Sequence, residues 1–182
     1  MVSFALSEEQ QMLADMTREF VSNEVIPAAE HHDRDGKYPT EIAAKAFELG
    51  LMNITIPDCY GGGDLGHMEE AIITEELAYG CAGMAISMTV NNLSSVPIQI
   101  GGSEEQKKKW LGMLTEEHCT ASYCLSEPDA GSDAAGLRTS AVLKGDHYIL
   151  NGTKAWVSGG AHSRFFTLFA TTDPGSGYEG IT

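Results

Sequence analysis

Apolar positions along this chain change their period near residue 118. Before it they recur at three and four residues, the spacing of helices that each bury one face. Ser7 and Gln10 read as a capping box, and Leu13, Met16 and Phe20 then share a face until Pro27 ends the run. A second helix is predicted from Pro39 to Leu49, with Gly50 past its end. A third is predicted over His67–Tyr79, and Gly80 and Gly83 separate it from a fourth over Ala85–Ile98. Ser103 and Gln106 repeat the capping box ahead of KKKWLGML. Helices with one apolar face each are expected to form a bundle.

After His118 the period becomes two. TASYCL, TSAVL, HYIL, KAWV and FFTLFA read as strands, with turn signals at Lys144-Gly145-Asp146 and at Asn151-Gly152. The expected fold class is therefore α+β: an N-terminal helical bundle over residues 1–118, then a truncated antiparallel β-barrel-like domain over residues 119–182. With the sequence stopping at Thr182, such a meander is expected to expose strand edges. Gly61, Gly63 and Gly66 satisfy G-x-G-x-x-G, but NITIP before them is interrupted by Pro57 and no second strand is in reach. They are read as a turn between helices.

Composition narrows the partners. Eleven basic residues against 26 acidic give a formal charge of -15, a surface that repels nucleic acid and anionic lipid. No apolar run approaches the roughly 18 residues of a membrane span. Cys59, Cys81, Cys119 and Cys124 form no C-x-x-C pair and have no histidines at zinc spacing, so no metal is expected and a reduced compartment is the simpler reading. Asn53, Asn92 and Asn151 head glycosylation-type tripeptides that carry no weight without a secretory signal. The opening MVSFALSEEQQ lacks the Arg-rich, acid-poor character of a transit peptide and reads like the start of a mature domain.

The chemistry is concentrated in YCLSEPDAGSDAAGLRTSAVLKGDHYILNGTKAWVSGG, residues 123–160. A hydroxyl at a strand end (Ser126) leads into a tight loop (Asp129 to Asp133), and a hairpin follows. Then come Trp156 and a second hydroxyl, Ser158. A flavin needs a flat partner on one face, donors along its pyrimidine edge, and an open face for substrate. Trp156 can supply the first, and Ser126 and Ser158 with the amides near Leu125 and Val157 the second. Arg138, Lys144, Lys154 and Arg164 are the nearby cations for a polyanionic ligand such as coenzyme A.

This run resembles the flavin-binding signature of the acyl-CoA dehydrogenase family, and the similarity extends along essentially all of the chain. KAFELGLMN, EELAYGC and QKKKWLGMLTEE are similar to medium-chain members, GDHYILNG and GYEGIT to branched short-chain relatives. The resemblance implies FAD as cofactor, held by Tyr123, Cys124, Leu125, Ser126, Glu127, Pro128, Asp129, Ala130, Gly131 and Ser132, and by Trp156, Val157 and Ser158. Ser132 would also touch the acyl-CoA substrate. Ser126 and Ser158 stand where the medium-chain pattern has threonine, and each keeps the hydroxyl. Ala85–Asn92 matches the region closing the acyl pocket, where Ile86 and Met88 either reshape a tunnel or belong to the core.

The implied reaction is α,β-dehydrogenation of an acyl thioester, with electron-transfer flavoprotein as partner of the intact enzyme, homo-oligomeric assembly, and a mitochondrial matrix location in a eukaryote or a cytoplasmic one otherwise. Family members carry the catalytic Glu in a C-terminal helical domain that this sequence does not contain. No catalytic base is assigned; Glu127 is read as a solvated loop acid, and the chain by itself is expected to be inactive. The alternatives are a related flavin oxidase and a short non-catalytic paralogue that binds acyl-CoA or a full-length subunit.

Overall fold

The computed structural model describes residues 5–182, so the first four residues of the N-terminal reading lie outside it. Both capping boxes form. The Ser7 hydroxyl accepts from the Gln10 N–H while the Gln10 side chain accepts from the Ser7 N–H, opening α1 (Glu8–Phe20). Ser103 and Gln106 do the same for α5 (Glu104–Glu116). Ala14, Thr17 and Phe20 are the buried stripe of α1, with Leu13 at its margin, whereas Met16 faces outward.

Pro27 does not end the helical path. A π-helical turn over Val21–Val25 shifts the hydrogen-bond register just ahead of it, and the proline falls in the first turn of α2 (Ile26–Asp35), where a missing N–H costs nothing. The next helix, α3 (Thr40–Glu48), lies within the expected limits. The third and fourth expected helices are two segments of one element, α4 (His67–Gly101), interrupted at Cys81, whose backbone is extended (φ -165°, ψ 113°). The break lies between the two predicted punctuating glycines.

The Gly61–Gly66 stretch is a turn, as its context indicates. It folds back over residues 53–57: the Asp64 N–H donates to the Ile56 carbonyl and the Leu65 N–H to that of Ile54. A Cβ on Gly62 would sit 2.0 Å from the Ile56 oxygen, so close backbone approach explains the glycine without any nucleotide.

The β half departs from the expected meander. Strand β1 (Thr120–Cys124) pairs in parallel with β4 (Ser163–Leu168), Ala121 opposite Phe165 and Cys124 opposite Leu168. Strands β2 (Ser140–Lys144) and β3 (His147–Asn151) form a separate antiparallel hairpin. Among the described residues these are two two-stranded sheets and no closed barrel. A period of two marks a strand but not its direction, and β1 and β4 are joined by a crossover long enough for parallel pairing. The hairpin turns at Gly145-Asp146 with φ +66° at the glycine, while Asn151-Gly152 ends β3 rather than turning it. KAWV is not a strand; residues 152–162 form a looped connection.

The helical core gathers Phe20, Val21, Val25, Ile42, Ala43, Leu51, Ile54, Ile73, Leu77 and Met88, and a smaller cluster of Ile56, Leu111, Leu114 and Ala121 carries packing into β1. Polar groups complete that junction. The Asn91 amide on α4 donates to the Asn53 side-chain oxygen (2.9 Å) and the Cys119 carbonyl (2.9 Å), and accepts from the Ala121 N–H (2.8 Å). Asn53, at φ 58° in the left-handed region that asparagine tolerates, donates on to the Leu114 carbonyl (2.5 Å). Both asparagines are buried.

Replacing Asn91 with Ala strands the Ala121 N–H, the Cys119 carbonyl and the Asn53 oxygen, at about 1–3 kcal/mol for each buried orphan. The variant is expected to lose at least about 3 kcal/mol in urea unfolding and to melt roughly 6–12 °C lower. A loss below about 1 kcal/mol would show that the junction does not depend on this amide.

Candidate functional site

The two segments singled out in the sequence meet at the C-terminal end of β1. The Ala155 N–H donates to the Ser126 carbonyl (2.9 Å). Two residues before the end of β1, the Ser122 hydroxyl donates to the Ser158 carbonyl (2.7 Å) and lies 2.5 Å from the Ser163 hydroxyl at the start of β4. Residues 123–127 and 155–158 therefore run side by side, tied through main-chain carbonyls.

That arrangement leaves the hydroxyls themselves uncommitted. Ser126 and Ser158 are half-buried and Ser132 is exposed, and among the described residues none of their Oγ atoms has a protein partner. Trp156 is 93% exposed and holds φ 60°, a left-handed backbone that an aromatic residue rarely adopts. It is not a core tryptophan. Its neighbour Val157 is half-buried and lines a cleft of about 520 Å³ with Tyr38, Cys81, Met84 and His162.

The remaining expected positions divide between scaffold and surface. Tyr123 is half-buried with its ring tilted against Phe169 (5.0 Å between centroids), and burial raises its phenol pKa. Cys124, the next residue of β1, is buried, and burial likewise raises the thiol pKa. Leu125 offers its carbonyl to the Lys154 Nζ (2.9 Å). Pro128, Asp129 and Gly131 are exposed, while Ala130 is buried and closes a two-way backbone bridge with Glu127.

Glu127 corrects the reading of a solvated loop acid. Its carboxylate is buried and accepts from the Arg138 N–H (2.7 Å), the Thr139 N–H (2.9 Å) and the Lys154 Nζ (2.8 Å). Burial alone would raise its pKa; the hydrogen bonds from Lys154, Thr139 and Arg138 overcome that and bring it to about 2. The period-based reading missed this pairing because the partner lies 27 residues along the chain.

The four candidate cations fare differently. Lys154 is enclosed with Glu127, their side chains only 8% and 6% exposed. Arg164 pairs with Glu117 (3.3 Å) and Arg138 with Asp129 (3.3 Å), both at the surface, where such pairs contribute little. Lys144 is exposed at the hairpin tip. Two of the glycosylation-type asparagines, Asn53 and Asn92, are buried. No helix among the described residues is long and apolar enough to cross a membrane, and no cluster of metal-ligating side chains occurs among them.

Residues 7–118 match the model of the acyl-CoA dehydrogenase N-terminal domain and residues 122–182 that of the middle domain. The chain is 43% identical over 173 residues to a probable medium-chain specific acyl-CoA dehydrogenase of Caenorhabditis briggsae, covering 95% of this chain and 42% of that protein. It is 37% identical over 180 residues to the isobutyryl-CoA dehydrogenase of Dictyostelium discoideum, covering 99% and 43%. Butyryl-CoA dehydrogenase from Megasphaera elsdenii superposes with a TM-score of 0.90 at 33% identity, over 100% of this chain and 49% of that one. The chain thus spans less than half the length of these relatives.

Two outcomes are expected from the site's energetics. Left-handed backbone costs an L-residue about 1–2 kcal/mol and asparagine less, so Trp156→Asn should match or exceed the wild type in thermal stability; a drop of several degrees would place the ring in the core. Glu127→Gln should cost about 3–5 kcal/mol near neutral pH, because it leaves Lys154 buried without its charge partner. Since the folded pKa lies below the ordinary 4.5, the carboxylate's contribution is full above that value and fades as pH falls toward about 2. The stability gap between wild type and variant should narrow over that window; a constant gap would mean the pair is not charged.

Proposed function

This chain belongs to the acyl-CoA dehydrogenase family, and we propose that it supplies the flavin-facing part of an FAD-dependent α,β-dehydrogenase of fatty or branched acyl-CoA thioesters. The matched regions, 7–118 and 122–182, support a division into an N-terminal helical domain over residues 1–118 and a partial middle domain over residues 119–182. The observation that carries the reading is the exposed ring of Trp156, held in a left-handed turn beside the uncommitted hydroxyls of Ser126 and Ser158.

The donor set fits a flavin. Trp156 offers a flat apolar face, and the two serines with the amides near Leu125 and Val157 offer donors for a polar ring edge. The one buried carboxylate of the signature, Glu127, is neutralised by Lys154, so no unpaired negative charge opposes an electron-rich ring. FAD held there would accept the hydride that leaves the β-carbon of the acyl chain. In this reading Ser132, exposed at the loop tip, meets the acyl-CoA.

Helix α4 offers the acyl wall. Ile86 and Leu93 are exposed on it with half-buried Thr89 between them, whereas Met88 is fully buried in the helical core. Of the two residues weighed for tunnel shape, exposure favours Ile86. The α-proton requires a carboxylate with basicity to spare and an oxygen within reach. Glu127 offers neither, because its oxygens are taken and its pKa is about 2. We assign the base to no residue of this chain, and by resemblance electron-transfer flavoprotein and further copies of the chain are the partners of the whole enzyme.

Purified chain titrated with FAD should show weak, saturable quenching of flavin fluorescence, and Trp156→Phe should shift the absorbance of the bound flavin. Absence of binding at millimolar FAD would sink the cofactor assignment. With FAD, an artificial electron acceptor and straight and branched acyl-CoAs, no turnover above a flavin-only blank is expected, since loss of general-base help costs about 100- to 10,000-fold. Turnover above that blank would overturn the assignment of the base outside this chain.

A further inference from the structure

We propose that Glu127 and Lys154 are positioning residues: a buried charge pair that holds Trp156 and Ser126 in place for the flavin without touching it. The inference rests on the functional reading above for its ligand, and on contacts within the chain for its mechanism.

The pair sits where three separate segments converge. Glu127 takes the N–H groups of Arg138 and Thr139, which fixes the entry to β2. Through Ala130 it closes the turn that begins the Gly131–Ser132 loop. Lys154 spans from the Glu127 carboxylate to the Leu125 carbonyl, and the next residue, Ala155, donates to Ser126. Every one of these bonds lies within two residues of Trp156, Ser126 or Ser132, or holds a segment that does.

The backbone at Trp156 makes such an anchor necessary. A left-handed tryptophan is unfavourable on its own and persists only where its surroundings over-determine it. Its ring is exposed and contributes no packing of its own. The restraint must therefore come from the main chain, and on the N-terminal side it comes from Lys154 and Ala155. With both charges buried, neither residue is available to an exposed ligand directly, so the action is through Trp156 and Ser126.

The test uses the whole chain in a Trp110→Phe background, so that emission reports Trp156. Glu127→Gln and Lys154→Met are each expected to enlarge the fast fraction of the Trp156 anisotropy decay without FAD and to weaken FAD binding roughly 10-fold, the scale at which partners behind a ligand-contacting residue act. Ile73→Ala, which opens a cavity in the helical core and touches none of these contacts, serves as a control of comparable stability loss and should leave the anisotropy unchanged. Unchanged anisotropy in both site variants, or an equal change in the control, would overturn the proposal. Should the variants fail to fold, hydrogen exchange on the wild type decides: protection of the Arg138 and Thr139 amides comparable to β1 is expected, and unprotected exchange refutes the clamp. If the wild type binds no FAD, the functional reading fails while the anisotropy and exchange results still judge the clamp.

Discussion

One buried amide sets the geometry of the end where the two signature segments meet. Asn91 has no charge and no exposed surface, yet it joins α4 to β1 at Ala121, to the Cys119 carbonyl and to Asn53. A hydrogen-bonded network in the interior is worth having only when every member is satisfied, because an unpaired polar group there costs more than the bond contributes. Here Asn53 completes it by reaching the Leu114 carbonyl at the end of α5. With β1 fixed in this way, Ser122 stands where it can hold the Ser158 carbonyl, and the signature segments acquire their relative position.

Much of this was legible in the sequence because it is local. The capping boxes at Ser7 and Ser103, the limits of α3, the Gly145 turn and the break near Cys81 all follow from residues within four positions of one another. Pro27 misled because a π-helical turn absorbed it. KAWV alternates like a strand, but alternation cannot reveal that the Trp156 backbone turns left-handed. The parallel pairing of β1 with β4 was hidden for a related reason: period gives the faces of a strand and is silent on its neighbour. Asn53 matched a modification tripeptide in the sequence, whereas its buried role depends on Asn91, 38 residues away.

The two segments singled out in the sequence do lie side by side, but what supports them was not legible there. Exposed Trp156 and half-buried Ser126 and Ser158 match residues suited to face a ligand. Glu127 and Lys154 looked like ordinary surface charges because each needs the other to be understood. Buried separately they would be prohibitive; together, with two backbone N–H groups completing the carboxylate's shell, they become tolerable. A carboxylate so well satisfied is also a poor proton acceptor.

The parallel pairing of β1 and β4 has a consequence for how the chain comes to be folded during synthesis. Residues 125–162 must all be made before β1 can meet its sheet neighbour. At about 5–20 residues per second, that leaves β1 without a strand partner for a few seconds. A naked strand edge over such an interval invites pairing with another nascent chain. The helices emerge first, however, and their contacts with β1 through Asn91, Ser94 and the Ile56–Leu111 cluster need nothing downstream of residue 124. The helical half can thus act as a cradle, holding β1 on one side until β4 arrives on the other.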